Sequence, residues 1–439
     1  MEYSNSIKIH EIEPVYYSAN NRVEFRLESG KIYTNDLRLM NVGYTKSANQ
    51  NNLNKLAGAA GGIRSMSILD GNVELQSLTR ANEWAAIKHS FKSNKYNEDL
   101  GSVMQLTRKS AHFNLYDSTG LQAAGRAVGS KVVEGTLRAG LSSTQATERR
   151  TAKGQLDLSD YMGMLQSVNY LDTSIFKDLK VVIEFDVSAT KVMFGDQATG
   201  TLSTVRPFLV AEEITDTSIV DAVMGKMPDA ISYKVVENDI VTAPQITATA
   251  GDPNPTQTRT FHIHGFNNKS VDRMLIKTRA TRANAENTAN TNVMYGEYNS
   301  QAMLKQKNQV RVNGMNLYAR DGITKENERL AMVADIWSPN MSIMPFQQGL
   351  ANRAVDTNTR DQVLNMGNEA IGSQSYFAAD LAGEKVKDLQ LDYERTGFFN
   401  ADAAQLALCK YNSAVNLVIF AEVRKAIVKS GSGYNVVYV

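Results

Sequence analysis

The sequence predicts an all-β chain built from two similar sandwich domains in tandem. Three observations predict it. Runs of alternating apolar and polar residues recur along the chain, as half-buried strands require. Helical periodicity is confined to a few short stretches. One order of features, namely strand, Asp-Gly, helix with tryptophan, long connection and apolar strand, occurs twice.

Residues 1–21 are polar and end in Ser18-Ala19-Asn20-Asn21, and they are expected to form an N-terminal arm. In Arg22 to Gly30, Val23, Phe25 and Leu27 share one face and charges take the other, the mark of an antiparallel strand closed by Gly30. Asp178 to Val187 places Val181, Ile183, Phe185 and Val187 together. Val386 to Arg395 alternates Leu389, Leu391 and Tyr393 with Gln390, Asp392 and Glu394. Val415 to Val423 is the most apolar run, and Tyr434 to Val439 closes the chain as a last strand. Turns rich in Gly, Asn, Asp and Ser separate these runs.

Trp84, Ile87 and Phe91 fall at helical spacing, as do Leu330, Val333 and Trp337. Each set follows an Asp-Gly turn, Asp70-Gly71 or Asp321-Gly322, and each turn follows a strand-like run. The two tryptophans are the only ones in the chain, and they stand at similar distances from those aspartates. Each half then ends in an apolar strand, Val181 to Val187 or Leu417 to Val423. This repeat spans half the chain, too long a period for a solenoid or propeller. It divides the chain into a first domain over 22–222 and a second over 223–439, joined near Asp221 to Pro228. A further helix is expected over Ser159 to Val168, with Ser159 as its N-cap. A long polar loop is expected over about 93–155 in the first domain.

Lys and Arg total 47 against 46 Asp and Glu, a net charge of +1, which argues against a protein that coats nucleic acid. The apolar share of 42% is that of a packed protein and not of a disordered one. Cys409 is the single cysteine, so no intrachain disulfide or cysteine metal cluster can form, and a buried structural thiol is expected. The start of the chain has neither a basic head nor an apolar run, so no secretory signal is expected. Apolar runs fall well short of the ~20 residues a spanning helix needs.

The search for chemistry assigns no catalytic, cofactor-binding or metal-binding residue, and no cofactor. Gly58 to Gly62 does not open a helix after a strand, and Ser430 to Gly433 lacks the spacing of a nucleophile elbow. His262 and His264 form a His-x-His pair like that of cupin metal sites, but the following Asn267-Asn268-Lys269-Ser270 offers no carboxylate ligand. Only His10, His89 and His112 remain elsewhere. Glu212 and Glu213 are adjacent and point to opposite faces of a strand, so they make no acid–base pair. The basic stretch from Lys269 to Arg282 is interrupted by Asp272, and no sequence-specific nucleic-acid binding is expected.

The order of motifs resembles the double jelly-roll major capsid proteins of double-stranded DNA viruses, especially those of virophages and polinton-like viruses. The resemblance lies in Ile68-Leu69-Asp70-Gly71 with the helix through Trp84, and in Leu156-Asp157-Leu158 leading to Leu179 to Phe185. Arg206-Pro207-Phe208-Leu209-Val210 and Asn316 to Gly322, continued through Arg329-Leu330-Ala331, add to it. It covers the chain from about residue 20 to its end. It implies two tandem eight-stranded antiparallel jelly rolls with short helices in the connections. It also implies a homotrimer of pseudo-hexagonal outline that tiles an icosahedral virion shell assembled inside the host cell. The implied partners are neighbouring capsomers, penton and minor capsid proteins and, in many such shells, an internal membrane.

Two other readings compete with a structural shell protein. A cupin-like metalloenzyme needs further ligands around His262 and His264, which metal analysis decides. A carbohydrate-binding sandwich needs exposed aromatics that helix-placed tryptophans do not supply, which glycan binding decides.

Overall fold

The computed structural model describes residues 6–46, 58–91, 152–186, 202–226, 228–247, 251–252, 255–280, 306–319, 322–324, 326–337, 376–396, 414–431 and 433–439. Most of the polar loop expected over about 93–155, together with Cys409, His112 and Asp321, lies outside the described residues.

The first half carries β1 (Ile7–Ile12), β2 (Tyr16–Ser18), β3 (Arg22–Arg26), β4 (Ile32–Thr34), β5 (Arg38–Lys46) and β6 (Ile63–Asp70). It continues with β7 (Val73–Thr79), β8 (Ala152–Asp157), β9 (Tyr170–Asp172), β10 (Leu179–Phe185), β11 (Leu202–Thr204) and β12 (Phe208–Ile214). The second half carries β13 (Ala230–Ala243), β14 (Thr256–His262), β15 (Ser270–Ala280), β16 (Gln306–Val312) and β17 (Met315–Asn316). After these come β18 (Tyr376–Lys385), β19 (Leu389–Thr396), β20 (Val415–Ser430) and β21 (Gly433–Tyr438). The helices are α1 (Ala81–Phe91), α2 (Gly163–Ser167), α3 (Thr217–Val223) and α4 (Glu326–Trp337). Among the described residues no helix is long and apolar enough to cross a membrane.

Every strand pairing is antiparallel, and the strand order repeats. In the first half one sheet runs β1-β12-β5-β8 with β4, β9 and β11 added, and the other runs β3-β10-β6-β7 with β2 added. In the second half the sheets run β13-β20-β15-β18, with β21 beside β20, and β14-β19-β16-β17. Position for position, the two four-strand orders of each half are the same. This is a double jelly roll, with two facing sheets per roll.

The alternation read from the sequence is the burial that results. Val23, Phe25 and Leu27 point into the first core, and Leu389, Leu391 and Tyr393 into the second. The helices with the tryptophans occupy equivalent places, α1 between β7 and β8 and α4 between β17 and β18.

Four expectations are corrected. The segment expected as an arm carries β1, which pairs with β12 from Ile7↔Ile214 to Ile12↔Leu209, and β2, which pairs with β3. Asp70-Gly71 does not lead into a helix. It turns the β6–β7 hairpin, with Gly71 at φ 59°, where a side chain is disfavoured. Its counterpart is Asn313-Gly314, which turns β16 into β17. The two apolar strands are not counterparts either: β10 matches β19, and β20 matches β12. Apolar content tracks how fully a strand is covered on both faces, and β20 is covered almost throughout. Finally, the helix expected over Ser159 to Val168 is a 3-10 turn at Leu158–Asp160 followed by α2, and the cap is Asp157, whose carboxylate accepts from Ser159 N at 3.1 Å.

Candidate functional site

The residues with chemical potential are scattered or already engaged. His262 ends β14 and His264 follows the buried Ile263, so both imidazoles are exposed. Their rings stack with centroids 6.3 Å apart, and His262 Nδ1 lies 3.8 Å from Asp388. Among the described residues no group of three or more His, Cys, Asp or Glu side chains is placed to hold a metal ion.

Glu212 and Glu213 on β12 engage different partners. Glu213 accepts from His10 Nε2 at 2.5 Å and from Lys31 Nζ at 3.2 Å, which ties β1 to the sheet. Burial would raise the Glu213 pKa, but the hydrogen bonds and charges of His10 and Lys31 hold it below its ordinary value. Glu212 takes the guanidinium of Arg38 at 3.3 Å. These ion pairs tie β12 to the strands beside it.

The most elaborate constellation lies where the two rolls meet. The outer strand β7 of the first roll faces the outer strand β13 of the second. Tyr233 Oη, from β13, donates to the Leu75 carbonyl at 2.6 Å, and Asn238 Nδ2 donates to the Thr79 carbonyl at 3.0 Å. Side chains of one roll thus satisfy edge carbonyls that the other leaves unpaired. Burial raises the Tyr233 phenol well above its ordinary pKa, so it stays a donor. Tyr434 on β21 donates to the carboxylate of Asp70, whose other oxygen accepts from Asp178 N at 2.6 Å. Phe176 meets Tyr434 edge-on at 5.5 Å.

At Gly163 the start of α2 presses on β13. A Cβ there would lie 1.6 Å from the Lys234 carbonyl oxygen, so no side chain fits. Near the middle of the junction Trp84 contacts both Trp337 and Phe420, with ring centroids at 5.4 and 5.3 Å. Trp337 is held from the other side: its Nε1 donates to the Met274 carbonyl at 3.0 Å, and Arg273 lies 4.4 Å over its ring. The link between the rolls is pinned too, since Gly225 N donates to Asp172 at 2.7 Å.

Of these junction residues, the sequence singles out the tryptophans and Asp70, and it places the join that holds Gly225. A glycine inside the apolar stretch Tyr161-Met162-Gly163-Met164-Leu165 is a usable signal for close backbone approach. Tyr233, Asn238 and Tyr434 leave no such signal, because their partners are distant carbonyls and a carboxylate.

The arrangement holds no assembled chemistry among the described residues. It offers two packed lobes whose outer strands β1 and β17 each pair with one neighbour among the described residues. On β1, Ile7 and Ile9 are 53% and 67% exposed on one face, and on β17 Met315 is 65% exposed.

No protein-family model matches the chain, and no curated protein sequence does. Solved structures match along its whole length. A chain of the PBCV-1 virus capsid, known as a quasi-atomic model, is 11% identical, with 100% of this chain and 98% of that one covered and a TM-score of 0.53. The major capsid protein of mavirus is 11% identical over 99% of this chain and 90% of that one, with a TM-score of 0.54. A chain of the Sputnik virophage is 10% identical over 99% and 88%, with a TM-score of 0.54. At these identities the likeness is one of fold, and the fold is that of double jelly-roll capsid proteins.

Proposed function

We propose that this chain is the structural major capsid protein of an icosahedral virion and not an enzyme. The observation that carries the reading is the duplicated strand order, β1-β12-β5-β8 with β3-β10-β6-β7 repeated as β13-β20-β15-β18 with β14-β19-β16-β17. Two like lobes joined rigidly in one chain suit a subunit that must meet near-equivalent neighbours on several sides. The division proposed is a first roll through residue 222, with β1 counted into it, and a second roll over 223–439. Three such subunits present six similar lobes, so a homotrimer fills a site with six neighbours in a closed lattice. The partners on this reading are copies of the chain, then penton and minor capsid proteins, and an internal membrane where the shell encloses one. A net charge of +1 lets like subunits approach without strong mutual repulsion.

The test is native mass spectrometry with negative-stain microscopy of the purified chain. A trimer of about 145 kDa, three times the 48.4 kDa chain, with a three-fold or six-lobed outline is the expected result. A stable monomer at micromolar concentration overturns the reading.

A further inference from the structure

The sequence holds one Asn-Gly pair, Asn313-Gly314, at the turn that joins β16 to β17. Asn-Gly suits a two-residue hairpin because both residues take positive φ, here 52° and 82°. It is also the dipeptide most prone to lose its side-chain amide, since glycine leaves the following peptide nitrogen open to approach. Gly314 is exposed and Asn313 half-buried, so water reaches the turn.

The Asn313 side chain is nonetheless fully engaged. Its Nδ2 donates to Glu384 Oε1 at 2.8 Å and to the Lys385 carbonyl at 3.1 Å. Its Oδ1 accepts from Lys387 N at 2.7 Å and from Asp388 N at 3.2 Å. Its backbone N donates to the Asp388 carbonyl at 2.8 Å. These bonds clasp the β16–β17 turn to the connection between β18 and β19. The first roll has a carboxylate at its counterpart turn: Asp70 accepts from Asp178 N, just before β10, and from the Tyr434 hydroxyl. In the second roll a carboxylate would find no such donor, because the groups facing Nδ2 are a carboxylate and a carbonyl, both acceptors.

We infer that Asn313 is a guarded deamidation site, protected while the clasp is closed and converted only when the turn opens. In the reaction the Gly314 nitrogen attacks Cγ of Asn313, and the proton it loses leaves with the side-chain nitrogen as ammonia. Water then opens the succinimide to aspartate or isoaspartate, with no oxidant or reductant required. The carboxamide cannot turn toward Gly314 N without giving up its partners on residues 384–388. Conversion is irreversible and removes the clasp. Aspartate sets a second carboxylate against Glu384, and isoaspartate lengthens the main chain inside a turn that pairs Val312 directly with Met315.

The test incubates the full-length chain at mildly alkaline pH, folded and in denaturing urea. Trypsin cuts after Arg311 and Arg320, and fragmentation of the 312–320 peptide reads the amide-to-acid mass gain at Asn313. An isoaspartate-specific methyltransferase reads the other product. Conversion is expected to be at least about tenfold slower in the folded chain, because the clasp must open first. Equal rates overturn the inference. This comparison uses the unsubstituted chain and so stands whatever a variant does to folding. Asn313→Asp, which mimics one product, is expected to lower the melting temperature and speed hydrogen exchange over residues 384–388. Adding Glu384→Gln returns an amide donor to the contact and is expected to recover part of both losses. An Asn313→Asp chain that melts and exchanges as the parent does overturns the clasp.

Discussion

Trp84 and Trp337 meet edge to face, with ring centroids 5.4 Å apart and planes at 71°. They occupy equivalent helices of the two rolls, so the repeat brings its own counterparts into contact. An edge-to-face pair adds about 0.5–1.5 kcal/mol beyond the area it buries. Trp84, only 6% exposed, also packs on Phe420, and Trp337 is half-buried under Arg273.

Trp84→Ala is therefore expected to destabilise the chain by about 3–5 kcal/mol, and Trp337→Ala by about 2–3 kcal/mol because part of its ring remains in water. Denaturant unfolding of both single variants and the double variant measures their coupling. A coupling near zero would show that the two rings do not support each other.

Gly163→Ala drives a methyl group into the Lys234 carbonyl, a backbone atom that cannot swing aside. A loss of about 1–3 kcal/mol or more is expected in thermal unfolding. Gly30→Ala serves as the comparison, since nothing lies within 4 Å of its Cβ position and its cost comes from φ 76° alone.

Tyr434→Phe removes the phenol that links β21 to Asp70 across the junction. With a charged acceptor left behind, a loss of about 1.5–3 kcal/mol is expected. Exchange of the Asp178 amide should change little, because Asp70 keeps that second bond at 2.6 Å. Hydrogen exchange followed by mass spectrometry separates the two effects.

Acid acts on Asp272, which ties β15 to Lys234 on β13 and Arg424 on β20 at 2.6 and 2.5 Å. Burial would raise its pKa, but the hydrogen bonds and charges of Arg424 and Lys234 hold it below its ordinary 3.8. Its folded value is depressed, so its contribution is present above that ordinary value and is lost as pH falls from there through the folded value. Glu213 behaves alike from its ordinary 4.5 downward. Melting temperature should therefore fall more steeply below about pH 4 in the parent chain than in Asp272→Asn, which has lost the group already. Equal slopes in the two proteins would remove Asp272 from the account.

Strands with one wet face were legible in the sequence because alternation and burial are the same fact, as in β3 and β19. The repeat was legible through two rare residues on equivalent helices. The hairpin strand β7 was not, because Val73 to Thr79 mixes Glu and Gln with its leucines and stands directly before a helix. Nor was β1, where Ile7 and Ile9 remain exposed and only Ile12 packs against the core. The pairing of β10 with β19 as counterparts was hidden because apolarity reports coverage, whereas equivalence is a matter of neighbours. The junction depends on hydroxyl and amide groups that find carbonyls about 160 residues away, and local spacing carries no trace of such bonds.

The short connection through α3, pinned where Gly225 N meets Asp172, has a kinetic consequence. Two lobes on one tether collide at an effective concentration set by the length of that tether, whatever the dilution of the solution. Contacts with other copies enjoy no such leash and weaken as molecules grow scarce. The internal seam can therefore close at any chain concentration, whereas a contact between copies, as proposed above, would be lost first on dilution.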